Sequence, residues 1–529
     1  MQLVYGVKDR PKAGRVIVFA LQQLLAIMAA TIAVPMIIGN GMQPSAALFG
    51  AGVGTLVYLL FTKFKSPVFL GSSFAFLGSM SAAFAGGVSA SLGYLGLLIG
   101  AVLAGLVYVV IALVVKFAGT KWIDKIMPAV VIGPTVAIIG LSLAGNAVGD
   151  LMSGSASYTV IEKIAELVKE NGVITGAIVK EVEVTYTYAN TFIALLCGLV
   201  TLAVTIICSV YGKKMLKMIP FIIGILSGYA LAAIFTGFSY IEGAEFLRVI
   251  DFTPFTTLGK AEAWYPDFAF LTAFNVHGGG YGEINKAGEF VAYNAGEIGG
   301  YIGKIAVAYI PVAFVVFAEH IADHKNISSI IETDLLKDPG LHRTLLGDGV
   351  GSIAGAFFGG CPNTTYGESV GCVAISGNAS VITILVTAGL AILSAFLAPF
   401  TLFLSSIPKC VMGGVCVALY GFIAVSGLKM IQHVDLNDNR NLFVVSVILI
   451  AGVGGMVLDI GPVVITEVAC ALVLGILCNL LVNIGSKKKG DGNEQLVIEG
   501  TDVTPAEESD EIPKVSEVLK DEEGDDEKV

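Results

Sequence analysis

Long apolar blocks, separated by short polar connections, dominate the hydropathy pattern of this chain. A bilayer core needs about 20 apolar residues per helix. Blocks that meet this requirement, or come close to it, lie near Val16–Ile38, Ala46–Phe61, Leu92–Val115, Ile126–Leu143, Thr191–Val210 and Met218–Phe235. Others lie near Tyr301–Ile321, Ile382–Leu404, Val411–Met430, Leu442–Leu458 and Pro462–Ile484. Three more are short or interrupted by Gly, Pro and polar residues: Pro67–Phe84, Leu345–Phe358 and Pro362–Ser376. About fourteen membrane segments are expected on this length criterion.

Basic residues give the expected topology. Lys8, Arg10, Lys12 and Arg15 precede the first block, and Lys63 and Lys65 follow the second. Lys116, Lys121 and Lys125, then Lys213, Lys214 and Lys217, then Lys325, Lys337 and Arg343 follow later ones. Counted over fourteen segments they fall on one side, the cytoplasmic side by the positive-inside rule. Both termini are then cytoplasmic. Two polar insertions, Ala147–Asn190 and Gly237–Gly300, fall outside. The first predicts a helical stretch over Val160–Glu170 and a strand over Val182–Tyr188, and both insertions read as decorative loops.

Composition agrees with a membrane body. Of 529 residues, 55% are hydrophobic and only 14% charged, with a mean hydropathy of +0.82. Soluble domains carry about 25% charged residues. A soluble enzyme and a nucleic-acid binder are excluded for the body of the chain. The net charge of −11 is local: Gly490–Val529 holds fifteen acidic and three basic residues, which leaves the rest near +1. That tail is expected to be disordered. The eight cysteines show no paired spacing and read as small packing residues.

Candidate chemistry sits at two interrupted segments. Pro67–Phe76 and Gly359–Glu368 each begin the third segment of their half of the chain. Each is expected to run from extended chain (Leu70–Ser73; Asn363–Tyr366) into a half-helix. Non-helical backbone inside a membrane must be buried in protein or line a cavity. Matching breaks in two halves point to a transporter site near the midplane. Free N–H groups at the half-helix starts would face a ligand. Glu368 lies at one break and Glu319 within the Tyr301–Ile321 block. Ionisable groups inside spans are costly and usually functional. Asp323, four residues on, shares the helical face of Glu319. Metal binding by Glu319, His320, Asp323 and His324 is a weak alternative, and no metal or cofactor is expected. Glu467 reads as structural.

The stretches AEHIADH (Ala318–His324), ETDLLKDPGLHRTLLGDGVGS (Glu332–Ser352) and GGCPNTTYGESVG (Gly359–Gly371) resemble the nucleobase–ascorbate transporter family, in its bacterial uracil-permease branch. LGSSFAF (Leu70–Phe76) and LYGFIAVSGLKM (Leu419–Met430) add to the resemblance in the expected order. The resemblance implies an all-α polytopic protein of fourteen segments in two inverted seven-segment repeats. It implies a core domain (segments one to four and eight to eleven), a gate domain, and short strands in broken segments three and ten. The chain then divides into a cytoplasmic N-terminus (1–15), a first repeat (16–236, carrying insertion 147–190), insertion 237–300, a second repeat (301–485) and the tail (486–529). The family imports nucleobases by proton symport across the cell membrane, and several members are homodimers.

Carried over, Glu319 and Glu368 accept hydrogen bonds from uracil. The N–H groups of Phe74 and Gly367 donate to its carbonyls, and Tyr366 and Tyr420 line the pocket. Glu368, Asp323 or Glu319 carries the proton. Two positions depart from the family: Gln22-Gln23 replaces a Gln-His pair, and Asp323 stands where His is common. The rival readings are a xanthine or other purine permease of the same fold and, in a different class, a nucleobase channel without proton coupling.

Overall fold

Proline and glycine mark many of the element ends. Pro44 and Pro220 open helices at a position where the missing N–H costs nothing. Gly39, Gly119, Gly360 and Gly377 close others with positive φ. The computed structural model describes residues 3–170, 173–213, 215–276, 280–285, 288–432, 434–460 and 463–484. The acidic tail lies outside the described residues.

The first half comprises α1 (Ala13–Ile38), α2 (Pro44–Phe61), β1 (Leu70–Ser72), a 3₁₀ turn at Phe74–Phe76, α3 (Leu77–Ala83), α4 (Ala90–Ala118), α5 (Ala129–Ser142) and α6 (Ala144–Leu151). A hairpin of β2 (Ser157–Glu170) and β3 (Val173–Thr187) follows, then α7 (Thr191–Tyr211) and α8 (Pro220–Phe238). The second half comprises α9 (Ala295–Ile331), α10 (Leu341–Gly359), β4 (Asn363–Thr365), α11 (Gly367–Ser376), α12 (Val381–Ser394) and α13 (Ala398–Ser406). It ends with α14 (Lys409–Ile431), α15 (Asn439–Val453), the hairpin β5 (Leu458–Ile460)–β6 (Val463–Ile465) and α16 (Glu467–Val482). Among the described residues, eight helices are long and apolar enough to cross a membrane, and the α12–α13 pair makes a ninth, bent by 83°. The chain is a multi-pass membrane protein.

Several expectations need correction. Val160–Glu170 is strand, so the fold is mostly helical rather than purely α. Leu345–Phe358 belongs to an unbroken 19-residue helix. Ile382–Leu404 is two helices, because the chain turns between Ser394 and Ala398. The last helix starts at Glu467, after extended chain, and not near Pro462. Insertion 237–300 is no decorative loop. Near one end, Thr236 Oγ1 accepts from Val249 N and Ile250 N at 3.1 and 3.0 Å. Further along, Gln43 donates to Asp267 at 2.6 Å, and Phe268 and Phe270 pack on Phe358. Its final residues already belong to α9, where Asn294 and Glu297 form a capping box.

The helices pack in two sets. In one, α2 lies against α10 and α12, α4 against α9 and α10, and α1 against α12. In the other, α14 lies against α5, α7 and α8, and α15 against α5 and α16. Glycine allows the close approach: a Cβ on Gly50 would lie 2.4 Å from the Gly355 carbonyl oxygen, and one on Gly427 would lie 2.3 Å from Ala137 N. Such contacts suit membrane interiors, where association depends on packing.

The two breaks meet. β1 and β4 pair antiparallel, with Leu70 opposite Thr365 and Ser72 opposite Asn363. All six residues are buried. Thr55 Oγ1 braces Leu70 N and O from α2, and Asn363 Nδ2 donates to Gly50 O at 3.2 Å. Beneath the Tyr366 ring, a Cβ on Gly71 would lie 2.3 Å from a ring carbon. Gly71→Ala is therefore expected to cost about 1–3 kcal/mol by overpacking. A lowered Tm of the detergent-solubilised protein checks this, and an unchanged Tm would show that Tyr366 yields.

Candidate functional site

A cavity of about 360 Å³ lies where the strand pair gives way to helix. That is within the ~300–1,000 Å³ typical of small-molecule sites. Glu319, Asp323, Phe74, Tyr366, Gly367 and Glu368 all line it. The opposite wall is mainly apolar and comes from the other packing set, through Val136, Phe221, Phe422 and Ile423, with Ser209 and Ser426 as polar members. Sequence reasoning missed this wall, because nothing in an apolar helix marks the face that meets a cavity.

Each polar group is placed by an identifiable contact. Glu319 and Asp323 share a face of α9, as the four-residue spacing predicts. Both Glu319 and Glu368 keep partial exposure, and the cavity lies against them. Glu368 is in the first turn of α11, whose N-terminal end favours negative charge. Thr365 Oγ1 donates to Asp323 Oδ2 at 2.7 Å. Asp323 thus ties α9 to the end of β4. Its other carboxylate oxygen lies 3.8 Å from where a Cβ on Gly367 would stand.

The Tyr366 hydroxyl donates to Ser72 O at 2.8 Å. Its ring is therefore fixed across the strand pair. Tyr420 meets Phe74 edge-on, with centroids 5.4 Å apart. It stands behind Phe74, and its neighbours Phe422 and Ile423 form the wall. Gln23, at the position that departs from the family pair, donates to Ser369 Oγ at 2.6 Å. The same hydroxyl accepts from Phe69 N at 3.0 Å. One serine so joins α1, the chain before β1 and the start of α11.

His320 and His324 point away from the cavity. His320 bonds Asp348 at 2.6 Å and Thr344 at 3.0 Å, and His324 bonds Tyr58 at 2.7 Å. Each histidine is held by side chains of α2 or α10, so neither joins Glu319 and Asp323. Sequence reasoning passed over Asp348, although an acidic residue within an apolar, Gly-rich stretch is a signal in itself. All eight cysteines are unpaired.

The permease family model described as "Permease family" matches residues 14–179 and 173–461. The chain belongs to that family. It is 37% identical to the uracil permease of Bacillus caldolyticus over 90% of this chain and 94% of the relative. It is 35% identical to that of Bacillus subtilis, over 93% and 98%. The uracil permease of Escherichia coli matches at 32%, over 94% and 97%. Among solved structures, the transmembrane domain of the cyanobacterial bicarbonate transporter BicA aligns with a TM-score of 0.53 at 15% identity, over 90% of this chain and 99% of that one. Murine Solute Carrier 26 family member A9, in an inward-facing state, aligns with a TM-score of 0.53 at 12% identity, over 90% and 69%. These two similarities concern the fold alone. The permease is a transporter and not an enzyme.

The Thr365–Asp323 bond generates a prediction. Thr365→Val leaves a buried carboxylate oxygen without its donor and should cost about 1–3 kcal/mol. Thr365→Ser should restore most of it. Thermal unfolding of the three purified proteins measures the difference.

Proposed function

We propose that this permease imports uracil by proton symport, using alternating access about the central cavity. One observation carries the reading. Two carboxylates from different elements, Glu319 of α9 and Glu368 of α11, reach one cavity beside the free N–H groups of a half-helix start. Uracil is a flat ring with two N–H donors and two carbonyl acceptors. Glu319 and Glu368 accept from its N–H groups. The N–H groups of Phe74 and Gly367 donate to its carbonyls, and Phe74 and Tyr366 cover the ring faces. Tyr420 supports Phe74 from behind. The three relatives named as uracil permeases support this substrate over a purine.

The proton is carried by Glu368, with Asp323 and Glu319 as its near neighbours. All three line the cavity, so a proton and a base share one compartment. The two packing sets act as core and gate. The site residues sit on the core, and the gate supplies the apolar wall. Packing partners recur in a way that supports two inverted repeats of seven segments, fourteen in all. The α4–α10 and α4–α9 contacts answer α12–α2 and α12–α1, and α7–α8 answers α15–α16. Lys217 and Asn326 line the cavity toward the basic face, which supports an inward-facing state with both termini cytoplasmic. The protein works in the cell membrane, and a homodimer is compatible with the lipid-facing helices.

Uptake of labelled uracil into proteoliposomes, in competition with xanthine, thymine and uric acid, tests the substrate. Uracil and not xanthine should compete, and labelled uracil should exchange in counterflow, as a channel cannot. The carboxylates separate by role. Glu319→Gln puts a donor against a ring N–H and should weaken binding about tenfold to a hundredfold. Glu368→Gln should retain more binding but lose accumulation against a gradient. Calorimetry and vesicle uptake read the two effects. Concentrative uptake by Glu368→Gln would move the proton site to Asp323 or Glu319.

A further inference from the structure

A second cavity, of about 810 Å³, lies at the other end of the α3 half-helix. Gly78, Ser81 and Ala82 of α3 line one side, and Tyr301 and Lys304 of α9 line another. Thr466 and Glu467, at the start of α16, close it from the gate set. Thr466 is the N-cap residue of α16, yet its side chain makes no capping bond. Its Oγ1 has no hydrogen-bond partner, although the residue is only 8% exposed. An N-cap threonine ordinarily satisfies the first turn with that oxygen. Here the hydroxyl is left without a partner beside the cavity, its oxygen closed off from the open space, and the first N–H groups of a 16-residue helix have no side-chain cap.

Two charged groups flank it. Lys304 and Glu467 both line the cavity, and neither has an ion pair or hydrogen bond among the described residues. Glu283 is occupied, because Tyr293 donates to it at 2.7 Å. Burial pushes the Tyr293 phenol up to about 12, so it remains a donor at neutral pH. Glu297 is occupied as the partner of Asn294 in the capping box. The free polar groups are therefore one ammonium, one carboxylate, the hydroxyls of Ser81 and Thr466 and a helix N-terminus. Together they offer donors and an acceptor to a neutral ring that has both. An anion would meet Glu467, and a cation would meet Lys304.

We infer that this outer cavity is a loading site for the nucleobase, occupied before the base reaches the central cavity. The inference rests on the uracil reading above. Lys304 and the α16 N-terminus donate to ring carbonyls, Glu467 accepts from a ring N–H, and the hydroxyl of Ser81, or of Thr466 once its side chain rotates, takes the remaining group. The two cavities are separated where the gate touches the core: a Cβ on Gly78 would lie 3.2 Å from Thr466 Cγ2. Under the inverted repeat, the start of α16 corresponds to the start of α8. There Pro220 and Phe221 line the central cavity from the basic side. The outer cavity is thus the inverted counterpart of that inner approach.

Gly300 lines the cavity, and a Cβ on it meets nothing within 4 Å, so Gly300→Cys is a fitting reporter. A membrane-impermeant maleimide should label this cysteine from outside, and external uracil should protect it. Adding Glu319→Gln should leave the half-protecting uracil concentration within about twofold while central binding weakens. Adding Glu467→Gln should raise it about tenfold, as one charge-assisted hydrogen bond is lost. Thr466→Val tests the hydroxyl with little cost to folding, since that oxygen has no partner to lose, and should act in the same direction. Protection that is absent, or that shifts in step with central affinity, in a protein that still takes up uracil overturns the loading site alone. A protein that takes up no uracil overturns the uracil reading and the loading site with it.

Discussion

A peptide group in hydrocarbon has no water to turn to, so backbone that leaves the helix must find partners within the protein. Among the described residues, Leu70–Ser72 and Asn363–Thr365 are fully buried stretches that leave the helix, and they satisfy one another as an antiparallel pair. The rest of the site follows from that pairing. It brings together segments nearly three hundred residues apart. It ends both stretches beside helical turns, with free N–H groups facing one space. It also fixes Tyr366 across the pair, through Ser72, and places Thr365 where it can hold Asp323.

The polar groups are shared between rigid elements and not carried on loops. Glu319 and Asp323 come from a 37-residue helix, Glu368 from the first turn of α11. Ser369 joins α1 and the chain before β1 to that same turn. A change of protonation at Glu368 would therefore be felt by three elements of the core set. The facing wall is built mainly from Phe221, Phe422 and Ile423, with Ser209, Lys217 and Ser426 as its polar members. The carboxylates thus lie on one packing set, opposite a mainly apolar wall from the other, as the proposed carrier reading requires.

Much of this was legible in the sequence, and the rest was hidden for physical reasons. Gly and Pro interruptions in otherwise apolar segments marked both breaks, and Glu368 at one of them, with Glu319 inside a span, marked the site. Local composition misled at Val160–Glu170, where Glu, Lys, Ala and Leu favour helix while pairing with Val173–Thr187 imposes strand. The bend after Ser394 lies within apolar sequence with no charge, and Pro399, in the first turn of α13, was the one signal of it that the length criterion passed over. The partners of His320 and His324 come from other helices, and sequence spacing does not encode them. The free Thr466 hydroxyl looks like an ordinary helix cap until the structure shows that it caps nothing.

The central claim is that a proton and a uracil share the cavity between α9 and α11 and cross together. Direct proton flux tests it most closely. Vesicles reconstituted with the permease in a lightly buffered, ungradiented medium would receive uracil outside while external pH is followed. Alkalinisation of the medium in fixed proportion to the uracil taken up, and its loss in Glu368→Gln, is the result the account predicts. Uracil entry with no accompanying proton movement would contradict it.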